Sequence, residues 1–289
     1  MSAYARGLSA PTAFAWSPGG KLYATEERGD VVVVRPGRAP RVVARGFDTP
    51  LGLTFVGQAM YVSAKGTLWR LSRGSRSAIV KGLPYGRHQQ DNVVYARGRL
   101  YVGSGSTCDA CRDRSRYSAT VLSVRPDGSD LRIEARGLRN PYGLTLGPTG
   151  TIYVTINGQD NLGDREPAES VVVLRRGANF GWPTCWPSFR RRRLSGSCAG
   201  VTKPFAYLEP HSAAAGIAYW RSALYVTEWG QYLSHAHGRK LVRVGLDGRV
   251  SVFATGFVHP LPVSEHRGSL FVGDHGTGVV HRISLRVHP

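Results

Sequence analysis

Along this chain, short runs alternate apolar with polar positions and break at turns rich in Gly or Pro, the pattern of short β-strands. No window sustains the apolar period of roughly 3.6 residues that an amphipathic helix needs. One unit recurs along the whole length, with its core at Leu22-Tyr-Ala24, Met60-Tyr-Val62, Leu100-Tyr-Val102, Ile152-Tyr-Val154, Leu224-Tyr-Val226 and Leu270-Phe-Val272. A turn precedes each copy, as at Pro18-Gly-Gly20 and Pro148-Thr-Gly150, and a second alternating strand follows most of them, as at Val31 to Val34 or Leu241 to Val244. A repeat of about 40–50 residues made only of short strands and turns predicts a β-propeller. Six copies predict six blades in an all-β fold, and a β-sandwich would not set the same aromatic at the same place in each unit. The expected organisation is a single domain, 1–289, with units near 1–44, 45–80, 81–135, 136–206, 207–254 and 255–289. The first and last units are expected side by side, so that the ring closes without a bare sheet edge.

Composition changes this picture little. At 289 residues and 42% hydrophobic the chain can bury a full core. No apolar run approaches the roughly 20 residues of a membrane span, and Met1 to Arg6 lacks a signal core, so any leader is expected to have been removed from this sequence. The formal net charge of +19 is scattered singly as Arg, which reads as a solvated shell. The one run, Arg190 to Arg193, is read as a surface loop or an anion-binding patch, and no nucleic-acid-binding motif accompanies it. Cys108, Cys111, Cys185 and Cys198 leave zinc, free thiols or two disulfides open. The favoured pairing, Cys108 with Cys111 and Cys185 with Cys198, implies a periplasmic or secreted protein.

Chemistry is expected where loops from every blade converge at one end of the channel. Residues that recur just before the inner strands are therefore the candidates: Gly86 to Asn92 in the third unit, Arg139-Asn140 in the fourth, Pro210-His-Ser212 in the fifth and Val258-His-Pro260 in the sixth. His88 stands out, because imidazole titrates near neutrality and can take a hydroxyl proton as hydride leaves the same carbon. Its bland alternative is a cap on the incoming strand. The oxygen-rich loop Asn157 to Asp164 is either a plain loop or a metal site, and its spacing is not that of an EF-hand.

Several ordered motifs carry a resemblance to a known family: Gly86-Arg-His88, the Gly-Ser-Gly-Ser-Thr-Cys-x-x-Cys111 segment, Gly137-Leu-Arg-Asn-Pro-x-Gly143, Gly177-Ala-Asn-Phe-Gly-Trp-Pro183 and His211-Ser-Ala-x-x-Gly216. Together they resemble the pyrroloquinoline quinone (PQQ)-dependent glucose/sorbosone dehydrogenases, in particular the sorbosone-dehydrogenase-like branch. The resemblance implies PQQ and a calcium ion (Ca2+) over the channel mouth, with oxidation of a sugar or a related alcohol or aldehyde. Electrons then go to an external acceptor. It makes His88 the general base, and Arg139 and Asn140 cofactor contacts, since guanidinium groups suit the carboxylates of PQQ. Asp160, Gly163 and Asp164 are the calcium candidates. The family's fifth- and sixth-blade Lys and Arg are absent; Trp229 is the candidate for stacking on the cofactor, and His235, His237, Arg239 and His259 are the candidates for the missing polar contacts. Two rivals remain: a cofactor-less propeller that binds carbohydrate or protein, and a metal-dependent lactone hydrolase.

Overall fold

The computed structural model describes residues 1–231 and 235–284, so the last five positions of the sixth unit lie outside the described residues. Six sheets hold nearly all the strands, and each begins with an inner strand: Pro11–Trp16, Gly52–Val56, Gln90–Ala96, Asn140–Leu146, Ala214–Trp220 and Pro260–His266. Every inner strand packs on the next, and the sixth packs on the first, which closes a six-bladed β-propeller. Within each blade consecutive strands pair antiparallel, so a blade is a meander running outward from the channel.

The repeated Leu-Tyr unit forms the second strand of each blade: Leu22–Glu26, Ala59–Ala64, Arg99–Ser104, Ile152–Asn157, Ala223–Glu228 and Ser269–Asp274. Side chains alternate between the two faces of a sheet, and here both faces are covered by neighbouring blades. Val62, Leu100, Val154, Leu224 and Val272 are consequently fully buried, and one apolar cluster fills each of the six seams between blades. Truncating such a residue, as in Leu224→Ala, is expected to cost about 2–5 kcal/mol.

Closure differs from the unit boundaries expected above. Ser2–Ala5 does not belong to the first blade but pairs antiparallel with Val279–Ile283 as the outermost strand of the sixth. The physical reason is the exposed edge: borrowing the opposite end of the chain covers the last strand and staples the first blade to the last. The fourth blade takes its outer strand, Ala206–Leu208, only after a long excursion that includes the hairpin Cys185–Ser188/Arg193–Gly196. Both expected disulfides are formed, Cys108–Cys111 and Cys185–Cys198. Among the described residues no helix is long and apolar enough to cross a membrane.

Candidate active site

The inner strands begin irregularly. The register slips near the first residues of the inner strand in blades one, three, four, five and six. Such bulges re-aim side chains, and they bring Thr12, Asp91, Tyr142, Ala215 and Leu261 to line the channel, with Leu51 from the second blade. The result is a cavity of about 370 Å³ to which all six blades contribute. A second cavity of about 400 Å³ continues from it over the fourth blade and shares His88, Arg87, Asn140 and Asn157.

His88 lies at the junction of the two cavities. The backbone holds it, with Arg87 N–H donating to Thr107 O at 2.9 Å and His88 N–H to Ser106 O at 3.0 Å. Nδ1 is 3.1 Å from both the carbonyl and the hydroxyl oxygen of Ser106. The Ser106 hydroxyl donates to Cys108 O at 2.6 Å, so both of these oxygens are left to accept. Nδ1 therefore carries the proton, and Nε2 is the basic nitrogen. Burial, and then the Arg139 charge, push the pKa of His88 down to about 4, so the ring is neutral at pH 7.

Gly105 makes room for this arrangement. A Cβ there would lie 2.4 Å from the His88 Cβ and 2.7 Å from Asn140 Oδ1. Asn140 donates to Asn157 Oδ1 at 3.2 Å, and Asn157 donates in turn to Ala214 O. Asn140 Oδ1 itself is buried without a hydrogen-bond partner.

Arg139, 4% exposed, anchors the wall of the second cavity. Its Nη2 donates to Asp109 at 2.7 Å and to Asp160 at 2.8 Å, and its Nε to Asp109 O at 3.2 Å. Asp160 also accepts from Arg87 at 2.6 Å, and its own N–H donates to Asp109 Oδ1 at 3.0 Å. Trp182 Nε1 completes the knot on Asp109 O at 3.0 Å. Partial burial alone would raise the Asp109 pKa, but the Asp160 N–H and Arg139 outweigh it and hold the carboxyl below its usual range. Glu169, buried at the start of the fourth blade's third strand, accepts from Gly158 N–H at 2.7 Å. Burial pushes its pKa up to about 8, so it is a neutral acid at pH 7.

The other expected site residues divide. Trp229 lines the first cavity, and Asp160 the second. His259 is not on the cavity wall but behind Trp229, the two rings stacked at 3.9 Å with Nδ1 3.0 Å from Trp229 O. Arg239 folds back to donate to Val258 O and Gln231 O, both at 2.8 Å, and His235 is exposed; neither lines either of the two cavities. His237 pairs with Glu209 at 3.1 Å. The calcium set does not converge: Asp160 is held by two guanidiniums, Gly163 O faces His211 Nε2 at 3.0 Å, and Asp164 is exposed away from both cavities. Among the described residues no cluster of three His, Cys, Asp or Glu side chains is placed to hold a metal ion.

The sequence reading missed Glu27 and His275. With Trp229 and Asn157, these occupy one repeat position, the fifth residue after the repeated Leu or Ile of the second strand, and all four line the first cavity. Counting forward from the repeated Leu-Tyr unit, as well as back from the inner strand, identifies them. Gln89 and Asp91, inside the candidate stretch Gly86 to Asn92, also line the first cavity.

Comparison with known proteins follows this geometry. The sequence profile of the glucose/sorbosone dehydrogenase family matches residues 80–258. An uncharacterized protein of Borreliella burgdorferi is 23% identical over 243 residues, 72% of this chain, and this chain spans 64% of that relative's length. The PQQ-bound aldose sugar dehydrogenase of Streptomyces coelicolor superposes with a TM-score of 0.79 at 19% identity, covering 98% of this chain and 96% of that one. The holo PQQ domain of pyranose dehydrogenase from Coprinopsis cinerea gives 0.80 at 20%, covering 98% and 94%. A Thermus thermophilus structure described as a putative glucose dehydrogenase gives 0.78 at 22%, covering 98% and 99%. At these identities the structures attest the shared fold.

Proposed function

The chain belongs to the glucose/sorbosone dehydrogenase family, and on that premise we propose that it is a quinoprotein that oxidises a sugar, or a related alcohol or aldehyde, and passes electrons to an external acceptor. One observation carries this reading: a neutral His88, its Nδ1 satisfied and its Nε2 left basic, opens onto the channel mouth beside Arg87 and Arg139. The second cavity suits an anionic cofactor, because two guanidiniums line it against the single carboxylate of Asp160, and Glu169 facing it is uncharged. PQQ held there by Arg87, Arg139 and Asn140 would supply the two-electron acceptor. His88 Nε2 takes the proton of the reacting hydroxyl, Arg139 orients the bound anion, and Asn140 with Asn157 fixes the wall between the two cavities. The chosen calcium ligands do not assemble a site, and no step is assigned to that ion.

The two disulfides support an oxidising compartment as the working environment. A second reading, a carbohydrate-binding propeller without cofactor, draws on the ion pairing of Arg87 and Arg139 with Asp160 and on the lack, among the described residues, of a Lys or Arg from blades five and six lining these cavities. Titrating the protein with PQQ, followed by absorbance, with dye-linked oxidation of aldoses in the same samples, separates the two. Saturable binding with dye reduction is expected, and no binding at high micromolar PQQ leaves the binding module.

A further inference from the structure

We propose that Glu27 and His275, together with Trp229, form the subsite that holds the non-reacting end of the sugar. This inference rests on the dehydrogenase reading above and names the residues that choose among its substrates.

The three come from blades one, six and five, whereas His88 comes from blade three, so they stand across the ring from the base in the same cavity. They are built alike. Each follows a buried acid that ends its second strand: Glu26, Asp274 and Glu228. Each donates its backbone N–H to the residue that leads into its inner strand: Glu27 to Ala10 O at 3.0 Å, His275 to His259 O at 2.8 Å, and Trp229 to Ala213 O at 3.1 Å. The buried acids hold the same entry loops, Glu26 accepting from Ser9 N–H at 2.8 Å and Asp274 from Val258 N–H at 2.7 Å and His259 N–H at 3.0 Å. Three side chains are thereby presented by rigid backbone at one level.

What they present suits a polyol. His275 Nε2 meets Glu27 Oε2 at 3.0 Å, which leaves Glu27 acceptor capacity for a substrate hydroxyl. Trp229 stands beside His275, ring centroids 6.0 Å apart, and its stack on His259 fixes the indole's orientation. A fixed aromatic body offers apolar contact to the C–H positions of a pyranose while the carboxylate–imidazole pair takes its hydroxyls. Closing the ring does not require the pair: Ser2–Ala5 and the apolar cluster between blades six and one already do so, and a contact to a half-exposed carboxylate adds little stability. In the fourth blade the same repeat position is Asn157, which lines both cavities and so stands where the proposed substrate side of the ring meets the cofactor side.

The test uses PQQ-loaded wild type, Glu27→Gln, Glu27→Ala and His275→Asn, with D-glucose and its 2-, 3-, 4- and 6-deoxy analogues. The variants are expected to raise KM on the order of 10-fold, the value of a charge-assisted hydrogen bond, and far more than they lower kcat. One deoxy analogue, poor for wild type, should match glucose in the variants. Saturation-transfer NMR of the same sugars on His88→Asn should still report binding that Glu27→Ala weakens. Unchanged KM and an unchanged deoxy pattern overturn the subsite and leave the dehydrogenase standing, as does a lowered thermal midpoint with equal losses for every sugar. A loaded wild type that neither oxidises nor binds any of these aldoses overturns both.

Discussion

Asp109 grips Arg139 from two sides, its carboxylate accepting from Nη2 at 2.7 Å and its backbone carbonyl from Nε at 3.2 Å. Asp109 sits inside the Cys108–Cys111 loop, so the disulfide holds an aspartate against an arginine of the next blade. Asp109→Ala removes the carboxylate and leaves Arg139 held by Asp160 and by the backbone carbonyl of residue 109. The lost charge-assisted bonds are worth roughly 1.5–3 kcal/mol, so PQQ affinity should fall by about 10- to 100-fold in an absorbance titration. Cys108→Ser/Cys111→Ser should fall in the same direction by less. Equal affinities for Asp109→Ala and the parent would show that Arg139 is held without the loop.

Gly105 carries the second prediction. Its ideal Cβ would fall 2.4 Å from the Cβ of His88, closer than any real contact, so Gly105→Ala must displace the histidine, Asn140 or both. Its backbone remains paired, with Gly105 N–H donating to Gln89 O at 2.8 Å, so the blade should still form. Turnover is expected to drop at least about 100-fold, as for loss of a general base, while circular dichroism keeps the all-β signature. Parental turnover in Gly105→Ala would remove His88 from the reaction.

The fold was legible because a propeller repeats itself: one Leu-Tyr unit, copied six times, gives both the blade count and the buried strands. The closing strand was not, because Ser2–Ala5 carries no mark of its partner Val279–Ile283 at the other end of the chain. In the site, His88, Arg139 and Asn140 were legible as polar residues at matching strand entries. The placement of Arg239 and His259 was not legible, because a sequence gives residue type and not direction: one side chain turns onto backbone carbonyls, and the other stacks on Trp229. Likewise, nothing in Asn157 to Asp164 announces that Asp160 pairs with two arginines.

The pH profile of kcat/KM follows from His88. Its pKa is lowered to about 4, first by burial and then by Arg139, so the ring stays unprotonated and competent through neutrality and loses function only as pH falls towards that value. A level profile from about pH 6 to 8 with an acid limb near 4 is expected. Arg139→Met removes the positive neighbour and should move that limb upward, whatever it does to cofactor affinity. His88→Asn should lose the limb together with about 100-fold or more of the rate. An acid limb near 6.5, unmoved by Arg139→Met, would mean that a solvated group and not His88 is titrating.

Stability should fall with alkalinity in a defined window. Burial raises the pKa of Glu169 from 4.5 to about 8 and that of Glu228 to about 7. A raised carboxyl pKa means that the folded state binds protons the unfolded chain has released, so the contribution is whole below about pH 4.5 and disappears as pH climbs through the folded value. His88 works in the opposite sense: depressed from 6.5 to about 4, it makes stability rise with pH between those values. The two effects oppose one another in mild acid. Above about pH 6.5 His88 is neutral in both states, and only the carboxyl effect remains. Each buried glutamic acid then removes close to 1.4 kcal/mol per pH unit until it ionises, which in a domain of this size lowers Tm by about 2–4 °C per unit. Asp91, whose Oδ2 is buried without a hydrogen-bond partner and whose pKa is also raised by burial, acts in the same direction. Differential scanning calorimetry between pH 6.5 and 8 should show this decline in the parent and a shallower one in Glu169→Gln, whose Tm at pH 8 should exceed the parent's. Parallel slopes for the two proteins would place Glu169 in contact with water and make it an ordinary surface acid.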